Sequence, residues 1–164
     1  MLRDKNLIPL SHQHQQALAL CVRIDRARPI PIADLKAWQA EISQYFAQEL
    51  RIHFSAEESV LFPAARRFPA LVPLVEELIE DHASLRESFS QAEMLRMSAD
   101  NIVDFANTLS AHIRKEERRL FEQLQQLMNA EELAVLGKQL ADALNDADQF
   151  CILPNEATSL RAKR

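Results

Sequence analysis

The chain has 164 residues with a formal net charge of −5, 48% hydrophobic and 26% charged side chains. That length suits one domain that buries its own core without disulfides. An isoelectric point near 5.6 argues against a nucleic-acid partner, and the short basic RAKR terminus does not change that balance. No apolar run approaches the ~18 residues of a membrane span, so no membrane role is expected.

The start, MLRDKNLIPLSHQHQQ, has no continuous apolar stretch and no small-residue cleavage site, which makes a reducing cytoplasm the expected compartment. Cys21 and Cys151 are then expected as free thiols. Only one glycine occurs, Gly137, and the seven prolines fall mostly in small clusters, so the composition favours an all-helical protein.

Ser11 is a good N-cap for a first helix over about residues 11 to 27, with Leu10, His14, Ala17, Leu18, Cys21 and Ile24 on one face. RPIPIA then breaks it. A long second helix is predicted from about Ala33 through Trp38, Ile42, Phe46, Leu50, His53, Glu57 and Val60, with Pro63 marking its end or a kink. A third, over about 71 to 94, carries Leu74, Leu78, His82, Leu85 and Phe89. Ser98 or Asp100 caps a fourth with Ile102, Phe105, Leu109, His112, Glu116 and Leu120, ending near Met128. A shorter fifth, over about 130 to 146, repeats Leu133, Leu136, Leu140 and Leu144. The expected architecture is an all-α, up-down-up-down four-helix bundle with an additional short C-terminal helix, one domain over 1–150 and a tail at 151–164.

The second and fourth helices share a motif. HFSAEESVLF, from His53, recurs 59 residues later as HIRKEERRLF, from His112, and the wider pattern is F-x3-L-x2-H-apolar-x2-E-E-x2-L-F. A histidine and a glutamate four residues apart lie one above the other on a helix, here on its apolar face. Buried carboxylates and imidazoles are costly unless paired or bound to metal. His14 and His82 supply one inward histidine from each remaining helix. A lone histidine on an apolar face is usually a hydrogen-bonded core residue, but four in one register with two glutamates point to a shared metal site. The candidate ligands are His14, His53, Glu57, His82, His112 and Glu116. Iron is favoured, with manganese and zinc still open, because the set lacks thiolates and an all-oxygen site would not need four histidines.

These features, in the order H…HxxxE…H…HxxxE with Leu61, Phe62 and Pro63 following the first pair, resemble the hemerythrin-like or HHE cation-binding domains over about residues 7 to 128. The resemblance implies a four-helix bundle and a centre of two iron ions bridged by Glu57 and Glu116, with binding of dioxygen, nitric oxide or iron itself. Oxygen-carrying hemerythrins also have an HxxxH pair on the third helix and an aspartate five residues after the last histidine. Here those places hold Arg86 and Glu117, so either Glu116 or Glu117 could be the second bridge, and Glu116 is favoured because its counterpart Glu57 has the same offset. Two histidines and two shared carboxylates per ion leave open positions on both, which suits sensing, redox chemistry or iron handling better than simple oxygen carriage. His12 lies about 200° around the helix from His14 and is not expected to share its face. Glu58, Glu117, Arg118 and Arg119 are expected on solvated faces or orienting the histidines.

Three functions compete: a binder or sensor of a diatomic gas, a di-iron oxidase or a peroxide- or NO-reducing enzyme, and an interaction protein that metal stabilises. In the last, the fifth helix is the homodimer or partner surface. Binding is preferred to turnover because no nucleophile or cofactor motif stands beside the metal set.

Overall fold

The computed structural model describes residues 2–145; the tail at 151–164, Cys151 and the last residue of the expected fifth helix lie outside them. Among the described residues the regular structure is helical throughout. Helix α1 spans Ile8–Arg26, α2 spans 35–66, α3 spans Val72–Glu93, α4 spans 99–127 and α5 spans Ala130–Leu144. Short 3-10 turns at Ile32–Asp34 and Pro69–Leu71 lead into α2 and α3.

Helix starts follow local chemistry. Ser98 accepts from the Asn101 amide, and the Asn101 side chain returns to the Ser98 amide, closing a capping box on α4. Asn129 and Glu132 do the same for α5. The first helix departs from expectation, beginning one turn before Ser11. Pro9 sits in its first turn, where a missing N–H costs nothing, and this outweighs the capping preference of Ser11. At the end of α3, Leu95 takes a left-handed conformation with φ of 56°, and the Arg96 amide reaches back to the Gln91 carbonyl at 2.9 Å.

Pro63 neither ends nor visibly breaks α2, which continues to Arg66. The preceding residues Glu57–Leu61 form a wide π-turn. Its counterpart in α4, Glu116–Leu120, is also a π-turn although no proline follows it, so the widening belongs to the repeated motif and not to Pro63. A third π-turn, Phe46–Leu50, has no partner in α4, where the matching Phe105 and Leu109 are α-helical.

The apolar side chains form two clusters. One gathers Ala17 to Ile24 of α1, Trp38 to Phe54 of α2, Leu85 to Ala92 of α3 and Ile102 to Ile113 of α4. The other holds Leu7 and Leu10, Ala56 to Ala65, Leu74 to Leu78, Leu120 to Leu124 and the inner face of α5. Each of α1 to α4 therefore passes from one cluster to the other, and each carries a polar residue at the crossing: His14, His53 with Glu57, His82, and His112 with Glu116. Helix α1 packs on α4, α3 packs on both α2 and α4, and α5 lies on the 51–61 stretch of α2.

Candidate metal centre

All six expected site residues meet in the layer between the two apolar clusters. None is more than 2% exposed. His14, His53, Glu57 and Glu116 form one group of converging donor atoms, and Glu57, His82, His112 and Glu116 form a second, each within 4.8 Å throughout. The two groups share both glutamates. Glu57 turns Oε1 to His53 Nε2 at 2.9 Å and Oε2 to His82 Nε2 at 3.3 Å. Glu116 Oε2 stands 3.1 Å from His14 Nε2 and 3.4 Å from His112 Nε2.

The chemistry of this layer fits cations. Both oxygens of Glu57 and both of Glu116 are buried without a hydrogen bond of good geometry. Such orphaned acceptors are rare and costly in a folded interior. The nearest groups are imidazole nitrogens, and these pair off among themselves, His14 Nε2 with His53 Nε2 at 3.1 Å and His82 Nε2 with His112 Nε2 at 3.2 Å. Lone pairs thus converge on two points.

Every imidazole is fixed through its other nitrogen. His14 Nδ1 donates to Glu117 at 2.7 Å, His53 Nδ1 to the side-chain Oε1 of Gln13 at 2.7 Å, His82 Nδ1 to Glu58 at 2.7 Å, and His112 Nδ1 to Asp81 at 3.2 Å. An acceptor at Nδ1 holds the proton there and leaves Nε2 free to ligate. The carboxylates are themselves held by cations: Glu117 by Arg3, Glu58 by Arg86, and Asp81 by Lys115. The doubled glutamates thus divide their work, the first facing the shared centre and the second reaching the histidine of a neighbouring helix.

Electrostatics follow from this arrangement. Burial opposes the charged form of His14, but Glu116, Glu117 and Glu57 around it outweigh burial and hold its pKa well above the usual value. His82 is raised in the same way, Glu57 and Glu116 overcoming burial. Burial would raise Glu57, yet His53, His14 and His82 hold it well below the carboxylate range. Glu117 is brought down to about 2 against its burial, by His14 first and Arg3 further out.

The residues around the centre take the following places. Glu58 and Glu117 do orient histidines. Arg119 lies on a solvated face, where it pairs with Glu77. His12 is exposed, as its helical angle requires. Arg86 points to Glu58, with its guanidinium over the Phe54 ring, and that ring stacks on His82 at 3.9 Å between centroids. Cys21 is buried and free, in the core beside a groove of about 570 Å³ between α1 and α4.

Three contributors escaped the sequence reading. Gln13 and Asp81 each directly precede a site histidine, and that adjacency was their only signal. Arg3 acts from an N-terminal strap, lying over Phe121, which stacks on His14 at 5.6 Å.

No curated protein and no solved structure matches the chain. The family model for the hemerythrin HHE cation binding domain matches residues 9–124, a span that holds all six convergent residues. More than half of the chain lies within that match, and the chain belongs to the hemerythrin HHE cation-binding domain family.

Proposed function

We propose that this protein binds two iron ions, one through His14 and His53 and the other through His82 and His112, with Glu57 and Glu116 shared between them. The observation that carries the reading is the pair of four-donor groups with two carboxylates in common, whose four oxygens lack hydrogen-bonded partners. The passage of each helix from one apolar cluster to the other supports an up-down-up-down four-helix bundle around this centre, within one domain over 1–150. Bound iron would supply reversible redox change and affinity for small diatomic ligands. Two histidines and two shared carboxylates leave positions open on each ion, and a layer no more than 2% exposed favours a ligand as small as dioxygen or nitric oxide.

The protein's own part is to hold, orient and seal. Glu117, Gln13, Glu58 and Asp81 keep each ring proton on Nδ1, while Phe54 and Phe121 pack on His82 and His14 and exclude water. Anaerobic loading with ferrous iron should give two ions per chain, and His53→Ala and His112→Ala should each lower that number. Admitting air or nitric oxide should change the optical spectrum of the loaded protein. Failure to retain iron, or unchanged stoichiometry in both variants, would sink the assignment. A spectrum indifferent to both gases would remove the gas-binding role and leave iron handling.

A further inference from the structure

The site has an internal two-fold likeness. The histidine and glutamates of α2 match those of α4 at an interval of 59 residues, and His14 on α1 matches His82 on α3. The surrounding contacts repeat as well. Glu58 of α2 holds His82, and Glu117 of α4 holds His14, each at 2.7 Å and each paired with an arginine.

One pair of positions breaks the likeness. The residue before His82 is Asp81, whose carboxylate accepts from His112 and is held by Lys115. The residue before His14 is Gln13, whose neutral amide oxygen accepts from His53. Ala56 of α2 stands where α4 has Lys115, and it is buried. An ion pair on one side is thus replaced by an uncharged pair on the other. One ion would be faced by histidines backed by two carboxylates, Glu58 and Asp81. The other would be backed by a single carboxylate, Glu117, and an amide.

A carboxylate behind a ligating imidazole makes its Nε2 a stronger donor than an amide does, and changing such a partner typically alters metal affinity ~10- to 100-fold. We propose that the two metal positions are unequal, that His82 and His112 hold the tighter-binding ion and fill first, and that Gln13 sets the weaker position at His14 and His53. This rests on the metal reading above but makes a separate claim. Two ions sharing Glu57 and Glu116 bind in sequence even in a symmetric site, because the second meets the charge of the first. The claim is therefore the order of filling and the residues that fix it.

Zinc titration of metal-free protein with nitrogen-15-labelled histidine tests this, the ring signals being assigned from single His→Gln variants. The first equivalent should move the signals of His82 and His112, and the second those of His14 and His53. Gln13→Glu should bring the two steps together by tightening the second ~10-fold or more. The double variant Gln13→Glu with Asp81→Asn should reverse the order. Early response of His14 and His53 in the parent, simultaneous response of all four, or an unchanged order in the double variant would overturn the ranking. No response from any ring would overturn the metal reading itself, and the ranking with it.

Discussion

Gly137→Ala tests how the N-terminal strap is seated, because the only glycine of the chain lies in the middle of α5. A β-carbon at that position would stand 2.5 Å from both Cβ and Oδ1 of Asn6 and 2.8 Å from its Cγ. Asn6 cannot easily retreat: its backbone and side-chain amides both donate to Asp4 Oδ1, at 2.9 and 2.8 Å, and the Asp4 amide donates to Gln125 on α4 at 3.0 Å. Alanine in a helix interior gains about 1 kcal/mol over glycine, whereas forcing a methyl into a packed contact costs about 1–3 kcal/mol. The net effect in the parent should be a loss of about 0–2 kcal/mol. In an Asn6→Gly background the colliding atoms are gone, and the same substitution should stabilise by about 1 kcal/mol. Urea unfolding of the four metal-free proteins gives the coupling between the two positions, expected at about 1–3 kcal/mol. If Gly137→Ala stabilised parent and Asn6→Gly protein equally, the strap would not rest on α5, and its role in carrying Arg3 to Glu117 would fall with it.

Leu95→Gly should stabilise the protein by about 1 kcal/mol, since an L side chain pays a steric penalty at a φ of 56° that glycine does not; an unchanged urea midpoint would deny the strain. Glu57→Gln should weaken both ions, because an amide carries no charge to offset two cations, while Glu58→Gln should act mainly at the His82 position; metal titration separates the two patterns, and equal losses would refute the shared role of Glu57. Burial pushes the Cys21 thiol from 9.0 up to about 12. The native state then keeps its proton over that range while the unfolded chain loses it, so stability is intact below pH 9 and falls as pH rises towards 12. At pH 10 this costs about 1.4 kcal/mol, and Cys21→Ala should remove that part of the alkaline slope; parallel slopes in the two proteins would contradict it. Arg86→His should not add a third imidazole to the His82 ion, because the side chain at position 86 runs outward over the Phe54 ring to Glu58, and loss of the half-exposed contact with Glu58 should cost under about 1 kcal/mol; a ring signal from the new histidine that responds to zinc would show that position 86 can turn inward.

The helices and the six convergent residues were legible because they depend on periodicity and on one duplicated register. His53 with Glu57 and His112 with Glu116 announce a face by themselves, and His14 and His82 complete it once the helices are placed. The π-turns were not legible, since E-E-x-x-L is ordinary helical sequence and nothing in it marks a widened turn. The F-x3-L extension of the repeat even overstated the likeness, as Phe46 enters a π-turn and Phe105 does not. The strap was hidden for a different reason: Arg3 and Asp4 act through Glu117 and Gln125, more than a hundred residues away. Gly137, which the sequence offers only as its single glycine, is the place where that strap fits.

The polar layer also carries an answer to the charge that it buries. A buried acceptor left without a hydrogen bond costs about 1–3 kcal/mol, and a domain has a net stability of only about 5–15 kcal/mol, so four orphaned carboxylate oxygens are a severe load unless their charge is answered. The raised His14 and His82 and the lowered Glu57 supply that answer, with imidazolium cations standing among the carboxylates. On the proposed metal reading, a cation entering this layer would displace protons from the nitrogens that ligate it, so that metal binding and proton release would be one event. Such an exchange would substitute one kind of positive charge for another inside a fixed frame of acceptors, and Glu117, Gln13, Glu58 and Asp81, which hold the rings through Nδ1, would matter as much to it as the atoms that face the shared centre.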